Sequence, residues 1–171
     1  MTGRRPVSTI AAEEQGDGVG KGFDGVVRDE QNPCWLYYID EVRAKKLDPH
    51  RCGKWMCITA DFEYAEELVR EAVVTGVVAE AKCSTEDGMA LSPHGTGVCC
   101  FYLNGDDIEA HHRAIEFLLS HDLVRRTKAG RLHNVSFKFD DQTRAGEYGD
   151  GFQAKIRLSD FVDLDTGEFL A

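Results

Sequence analysis

Apolar and polar residues follow two different periods along this chain. The run CWLYYI (34–39) is aromatic and β-branched, which predicts a strand, and KWMCIT (54–59) predicts a second. Behind Asp61, a good N-cap, Phe62, Ala65, Leu68, Val69, Ala72 and Val73 recur at helical spacing until Gly76 stops the helix. In VVAEAKCS (77–84) the positions Val77, Ala79, Ala81 and Cys83 alternate with Val78, Glu80 and Lys82, so a strand is expected with one apolar face and Lys82 on the other. GVCCFYL (97–103) is apolar on both sides and reads as a central strand. Asp106 or Asp107 caps a second helix, with Ile108, Ile115, Leu118 and Leu119 on its core face. His111, His112 and Arg113 fall largely off that face and read as surface residues. RLHNVSFKF (131–139) and FQAKIRL (152–158) complete the strands.

The order strand, strand, helix, strand, strand, helix, strand, strand predicts an α+β domain: a mostly antiparallel, curved sheet with two helices packed on one face. Residues 1–32 differ from the rest. They hold six glycines, one aromatic residue (Phe23) and no apolar period, so they are expected to form a flexible tail, with a single domain over 33–171. The turn chemistry of DPHRCG (48–53), the cationic turn RRTKAGR (125–131) and the segment Asp163 to Gly167 fall between elements. The last of these lacks the remaining ligands of a calcium loop and reads as a hairpin or surface loop.

Length and charge narrow the function. The chain has 171 residues, enough for one domain with its own core, and a formal charge of −10. That balance argues against non-specific nucleic-acid binding while leaving room for a few cations around one phosphate. No apolar run approaches a membrane span, and the start carries two arginines with no apolar core behind them, so no secretion signal and a cytoplasmic location are expected. The six cysteines form no CxxC pair and sit mostly in apolar runs, as small buried side chains would. His50, Cys52 and Cys57 match no familiar zinc spacing, and no metal or cofactor is expected. GxxxxGK[ST], GxSxG and HExxH are all absent, and the glycines of GDGVGKGFDG neither follow a strand nor open a periodic helix.

What remains is a set of cations at strand positions and in one turn: Lys54 in CGKW, Lys82 in AEAKCST, and Lys138 and Arg144 in SFKFDDQTRAGEYGDG. Each alone fits a solvated strand face, and Arg144 has Asp140 and Asp141 close by as turn partners. Several brought to one sheet face would repel one another unless an anion joined them or acids intervened.

The segments CWLYYID, RCGKWM, AKCST, VCCFY and FKFDDQTRAGEYG together resemble the phosphothreonine lyase domain family of small bacterial proteins. They are also similar to the related basophilic-leukaemia-expressed protein family, whose fold resembles that of the cap-binding translation initiation factor. The resemblance runs from about Cys34 to Leu158, and its most specific element is FKxDxxTxxGxY, Phe137 to Tyr148. It implies a metal-independent β-elimination that removes phosphate from a phospho-Ser/Thr polypeptide and leaves a dehydroamino acid. By position it implies Lys82 as the base, Arg144 as a phosphate holder with Lys138 in a neighbouring cationic role, and Lys54, on the strand that carries the acid, as a third phosphate-binding cation. The related effector lyases have a histidine two residues after that lysine, where this chain has Met56; Glu147 replaces a second arginine. His94, twelve residues after Lys82, occupies the place of an effector arginine and is the candidate acid.

A lysine base must lose its proton near neutral pH, which burial and neighbouring cations promote. The alternatives are a non-catalytic module that binds a phosphate ligand or a partner on the same fold, or an accessory subunit of a peptide-modifying system. Cap recognition would need a base stacked between aromatic rings. Trp55, next to Lys54 on its strand, is expected to face the core instead.

Overall fold

A computed structural model describes residues 25–171 and the two-residue strand Ser8–Thr9. The strands are β1 (Ser8–Thr9), β2 (Val26–Asn32), β3 (Trp35–Asp40), β4 (Cys52–Thr59), β5 (Glu80–Ser84), β6 (Gly97–Asn104), β7 (Ser136–Phe139) and β8 (Ile156–Arg157). The helices are α1 (Glu41–Ala44), α2 (Phe62–Val74), α3 (Glu86–Ala90), α4 (Ile108–Ser120) and α5 (Asp140–Arg144). Every neighbouring pair in the sheet order β1-β2-β3-β5-β6-β4-β7-β8 is antiparallel, which makes this an α+β fold on an open sheet.

The two long helices form as their caps dictate. Asp61 accepts the Tyr64 N–H at 3.1 Å and Asp107 accepts the Ala110 N–H at 3.0 Å, each satisfying a donor the first turn leaves free. Both helices lie on one face of the sheet. Ala65, Leu68, Val69, Ala72 and Val73 of α2 share a core with Ala114, Ile115, Phe117 and Leu118 of α4. The strands contribute Leu36, Trp55, Ala81, Cys83, Cys99, Phe101 and Phe137 to it. Period-two alternation then sends Lys54, Lys82, Cys100, Tyr102 and Lys138 to the opposite face.

Three sequence expectations are corrected. The ordered sheet begins at Val26, inside the segment expected to be a tail: Val26 and Val27 are buried, and Arg28 binds Glu66 of α2 at 2.9 Å. A strand with only two leading apolar residues shows little period, and its pairing with β3 supplies the rest. Residues 1–7 and 10–24 of the expected tail lie outside the described residues. His111 is fully buried rather than exposed, while Ile108 is 57% exposed and contributes little to the core. The expected strands over 77–84, 131–139 and 152–158 shorten to Glu80–Ser84, Ser136–Phe139 and Ile156–Arg157. Among the described residues, no helix is long and apolar enough to cross a membrane.

Candidate functional site

The site is built on the sheet face away from α2 and α4. Strand register arranges it in two rows. One row runs Asp29, Tyr37, Lys82, Cys100 and Met56 across β2, β3, β5, β6 and β4. The other runs Ile39, Glu80, Tyr102, Lys54 and Lys138 across β3, β5, β6, β4 and β7. Lys54, Lys82 and Lys138 thus come from three strands to one face, and all three are buried, at 6–8% exposure.

Lys54 has hydrogen-bond acceptors at its ammonium, whereas Lys82 and Lys138 lie against aromatic rings. Lys54 Nζ donates to Asp140 Oδ1 at 3.0 Å and to Thr143 Oγ1 at 3.1 Å. Lys82 Nζ lies 3.8 Å from the centre of the Trp35 ring and 5.5 Å from that of Tyr37. Lys138 Nζ lies 3.8 Å from the Tyr148 ring centre and 5.2 Å from that of Phe152. The quadrupole of an aromatic ring attracts a cation but does not neutralise it. Burial therefore pushes the Lys82 pKa below its ordinary value of 10.5, and the charge of Lys54 pushes the same way, while Glu80 and Asp140 oppose it. Lys138 is lowered too, by burial first and by Lys54 second.

The FKxDxxTxxGxY segment explains much of this geometry. Phe137 enters the core, which turns Lys138 onto the lysine face opposite Lys54. Asp140 and Thr143, one helical turn apart in α5, both reach the Lys54 ammonium. Gly146 takes a φ of +74°, which favours glycine, and the chain turns so that Tyr148 comes over Lys138. The buried Gln142 amide braces the segment: Oε1 accepts the Phe139 N–H, and Nε2 donates to Glu147 at 3.1 Å and to the Gln153 carbonyl at 3.0 Å.

The Arg144 guanidinium donates to the Pro49 carbonyl at 2.6 Å and to Asp141, so it closes the turn with a carboxylate the sequence offered as one of two partners. His94 is exposed in the loop between α3 and β6, with its backbone N–H towards Ser92 Oγ. Among the described residues, no hydrogen bond or ion pair joins either side chain to Lys54, Lys82 or Lys138. Met56 lies in the Lys82 row and is 36% exposed.

Sequence reading did not find Asp29. It is 1% exposed; Oδ1 accepts the Gln31 N–H at 3.0 Å, and Oδ2 is buried without a hydrogen-bond partner. Its only signal would have been recognition of 26–32 as a strand, because register with Tyr37 is what places it in the Lys82 row. No group of three or more metal-binding side chains occurs among the described residues. Comparison of the chain with protein-family models, with curated proteins and with solved structures finds no match.

Proposed function

We propose that the lysine face binds the phosphate of a phosphorylated Ser or Thr in a polypeptide, and that Lys82 removes the Cα proton so that phosphate leaves by β-elimination. One observation carries this reading: a buried lysine whose ammonium is disfavoured by burial and by a second lysine, on a face where an incoming phosphate finds further cations. In the step, Lys82 Nζ takes the Cα proton, the C–H electrons form the Cα=Cβ bond, and the Cβ–O bond breaks with its pair going to phosphate. Lys54 and Lys138 hold the phosphate oxygens. Arg144 and His94 are the two further candidates from the resemblance, and the Arg144 guanidinium is bonded to Asp141 and the Pro49 carbonyl. The cap-binding-like fold belongs to the same reading.

A second reading is a non-catalytic phosphate-binding module. Met56 favours it, since the loss of a positioned acid costs about 10²–10⁴ in rate. Incubation with phosphothreonine peptides followed by mass spectrometry separates the two. Elimination gives a mass loss of about 98 Da, absent with Lys82→Ala. Binding without turnover leaves the peptide intact, and release of phosphate with recovery of threonine refutes elimination.

A further inference from the structure

Three cysteines stand in one row on the helix-covered face of the sheet. Register sets Cys99 of β6 opposite Cys57 of β4 on one side and opposite Cys83 of β5 on the other. All three belong to the core shared with α2, while Cys100, the next residue along β6, packs on the lysine face. Directly opposed residues of an antiparallel pair have Cα atoms about 4.5–5.5 Å apart. A disulfide spans Cα separations of about 4.4–6.8 Å, so either pair in the row is within bridging distance without moving the strands. The three thiols lie in a line, and no group of three able to hold a metal ion occurs among the described residues, so the row suits pairwise chemistry.

Access and mutual influence single out one pair. Cys83 and Cys99 are fully buried, and Cys99 Sγ lies 4.0 Å from the Ala65 carbonyl of α2, whereas Cys57 keeps 6% of its surface exposed. The Cys57 and Cys99 thiols act on each other. Cys99 is the largest influence on Cys57 and lowers its pKa against the effect of burial, and Cys57 raises that of Cys99. Burial pushes the Cys83 thiol up to about 12. The thiolate is the attacking form, so Cys57 is both the member an oxidant reaches first and the more reactive one, with Cys99 beside it to complete the bond.

We infer that Cys57 and Cys99, free thiols in this structure, form a reversible redox pair that a hydroperoxide closes to a disulfide. The Cys57 sulfur attacks one peroxide oxygen, the O–O bond breaks, and the other oxygen leaves as water with the thiol proton. Cys57 is then a sulfenic acid. The Cys99 sulfur attacks the Cys57 sulfur, the S–O bond breaks, and the hydroxyl leaves as a second water with the Cys99 proton. Two thiols lose two electrons together and one hydrogen peroxide is reduced to two waters; exchange with an external thiol reverses the bond. The disulfide ties β4 to β6, the strands that carry Lys54 and Tyr102.

The test treats the native full chain, reduced and freed of reductant, with hydrogen peroxide. Remaining thiols are blocked with N-ethylmaleimide in urea, and tryptic peptides are mapped by mass spectrometry. Peptide 55–70 holds Cys57 alone among the cysteines, and peptide 83–113 holds Cys83, Cys99 and Cys100, which fragmentation distinguishes. The expected product is 55–70 joined to 83–113 through Cys99, released by dithiothreitol, absent from Cys57→Ser and retained in Cys100→Ser. Mapping the unsubstituted chain needs no variant and keeps the test independent of folding. The inference is overturned by absence of the bond at peroxide levels that oxidise the half-buried Cys34, by a bond joining any other pair, or by a bond that forms only when peroxide is added in urea.

Discussion

Lys54 and Lys138 stand directly opposite one another on neighbouring antiparallel strands, and one of the pair is tied to Asp140 and Thr143 while the other lies against Tyr148. Like charges in directly opposed positions are unfavourable, so the arrangement depends on what surrounds them. Asp140 is the acid within hydrogen-bonding distance of Lys54, and the lysine is largely buried.

Asp140→Asn is therefore expected to destabilise the fold by about 1–3 kcal/mol, the usual cost of stranding one member of a partly buried pair. Adding Lys138→Met removes the opposing charge and should recover part of that loss. A double-mutant cycle by urea denaturation measures the coupling; strict additivity would mean that the two ammonium groups do not sense each other.

For Lys82 the pH dependence has a definite sign. Its native pKa is lowered below the unfolded value near 10.5, so between the two values the unfolded chain binds more protons and stability rises with pH. The cost of burying the ammonium is fully present below the native pKa and fades as pH climbs through that interval. Lys82→Met should raise the urea midpoint at pH 7, with the gain shrinking towards pH 10. A constant difference across that range would show that Lys82 titrates as an ordinary surface lysine.

His111 fixes the behaviour on the acid side. Its Nδ1 accepts the Trp55 Nε1–H at 3.0 Å and its Nε2–H donates to the Gly105 carbonyl at 2.8 Å, which together specify one neutral tautomer. Burial, the largest influence, lowers its pKa below 6.5. The unfolded state then takes the proton first, and stability falls as pH drops from the unfolded value through the native one. His111→Gln should blunt that fall in thermal melts between pH 7 and 4, at a cost of about 1–3 kcal/mol at neutral pH from the altered buried bonds.

Gly53 carries a steric prediction. A Cβ there would lie 2.5 Å from the Phe137 ring and 2.6 Å from the Lys138 carbonyl, and that backbone atom cannot swing aside. Gly53→Ala should cost about 1–3 kcal/mol and push β7 away from β4, which separates Lys138 from Lys54. Retention of wild-type stability and of phosphopeptide affinity would show that the two strands can part without consequence.

Much of this was legible in the chain itself. Alternation around Lys82 and the position of Trp55 beside Lys54 set the sidedness of both lysines, and the structure agrees: Trp55 is fully buried and both lysines lie on the other face. Asp61 announced the first long helix and the pair Asp106 and Asp107 the second, of which Asp107 is the cap. Register was not legible, because it depends on pairings between distant segments, and register is what sets Lys138 against Lys54 and Asp29 beside Tyr37. Partner choice was also hidden. Asp140 and Asp141 are adjacent in sequence, yet one serves Lys54 and the other Arg144. His111 misled because a histidine off an aliphatic stripe reads as polar, whereas here its two ring nitrogens are both satisfied inside the core.

The strand order has a consequence for how the protein is made. Lys54 lies between β6 and β7 in the sheet, and its ammonium meets atoms 86 and 89 residues further along the chain. A nascent polypeptide leaving the ribosome holds Lys54 long before Asp140 and Thr143 have been synthesised, so its charge must stay hydrated until almost the whole domain has emerged. Assembly of the lysine cluster thus waits for residues 86 and 89 positions downstream of Lys54, and a product truncated ahead of Phe137 would carry Lys54 and Lys82 without the segment that organises them.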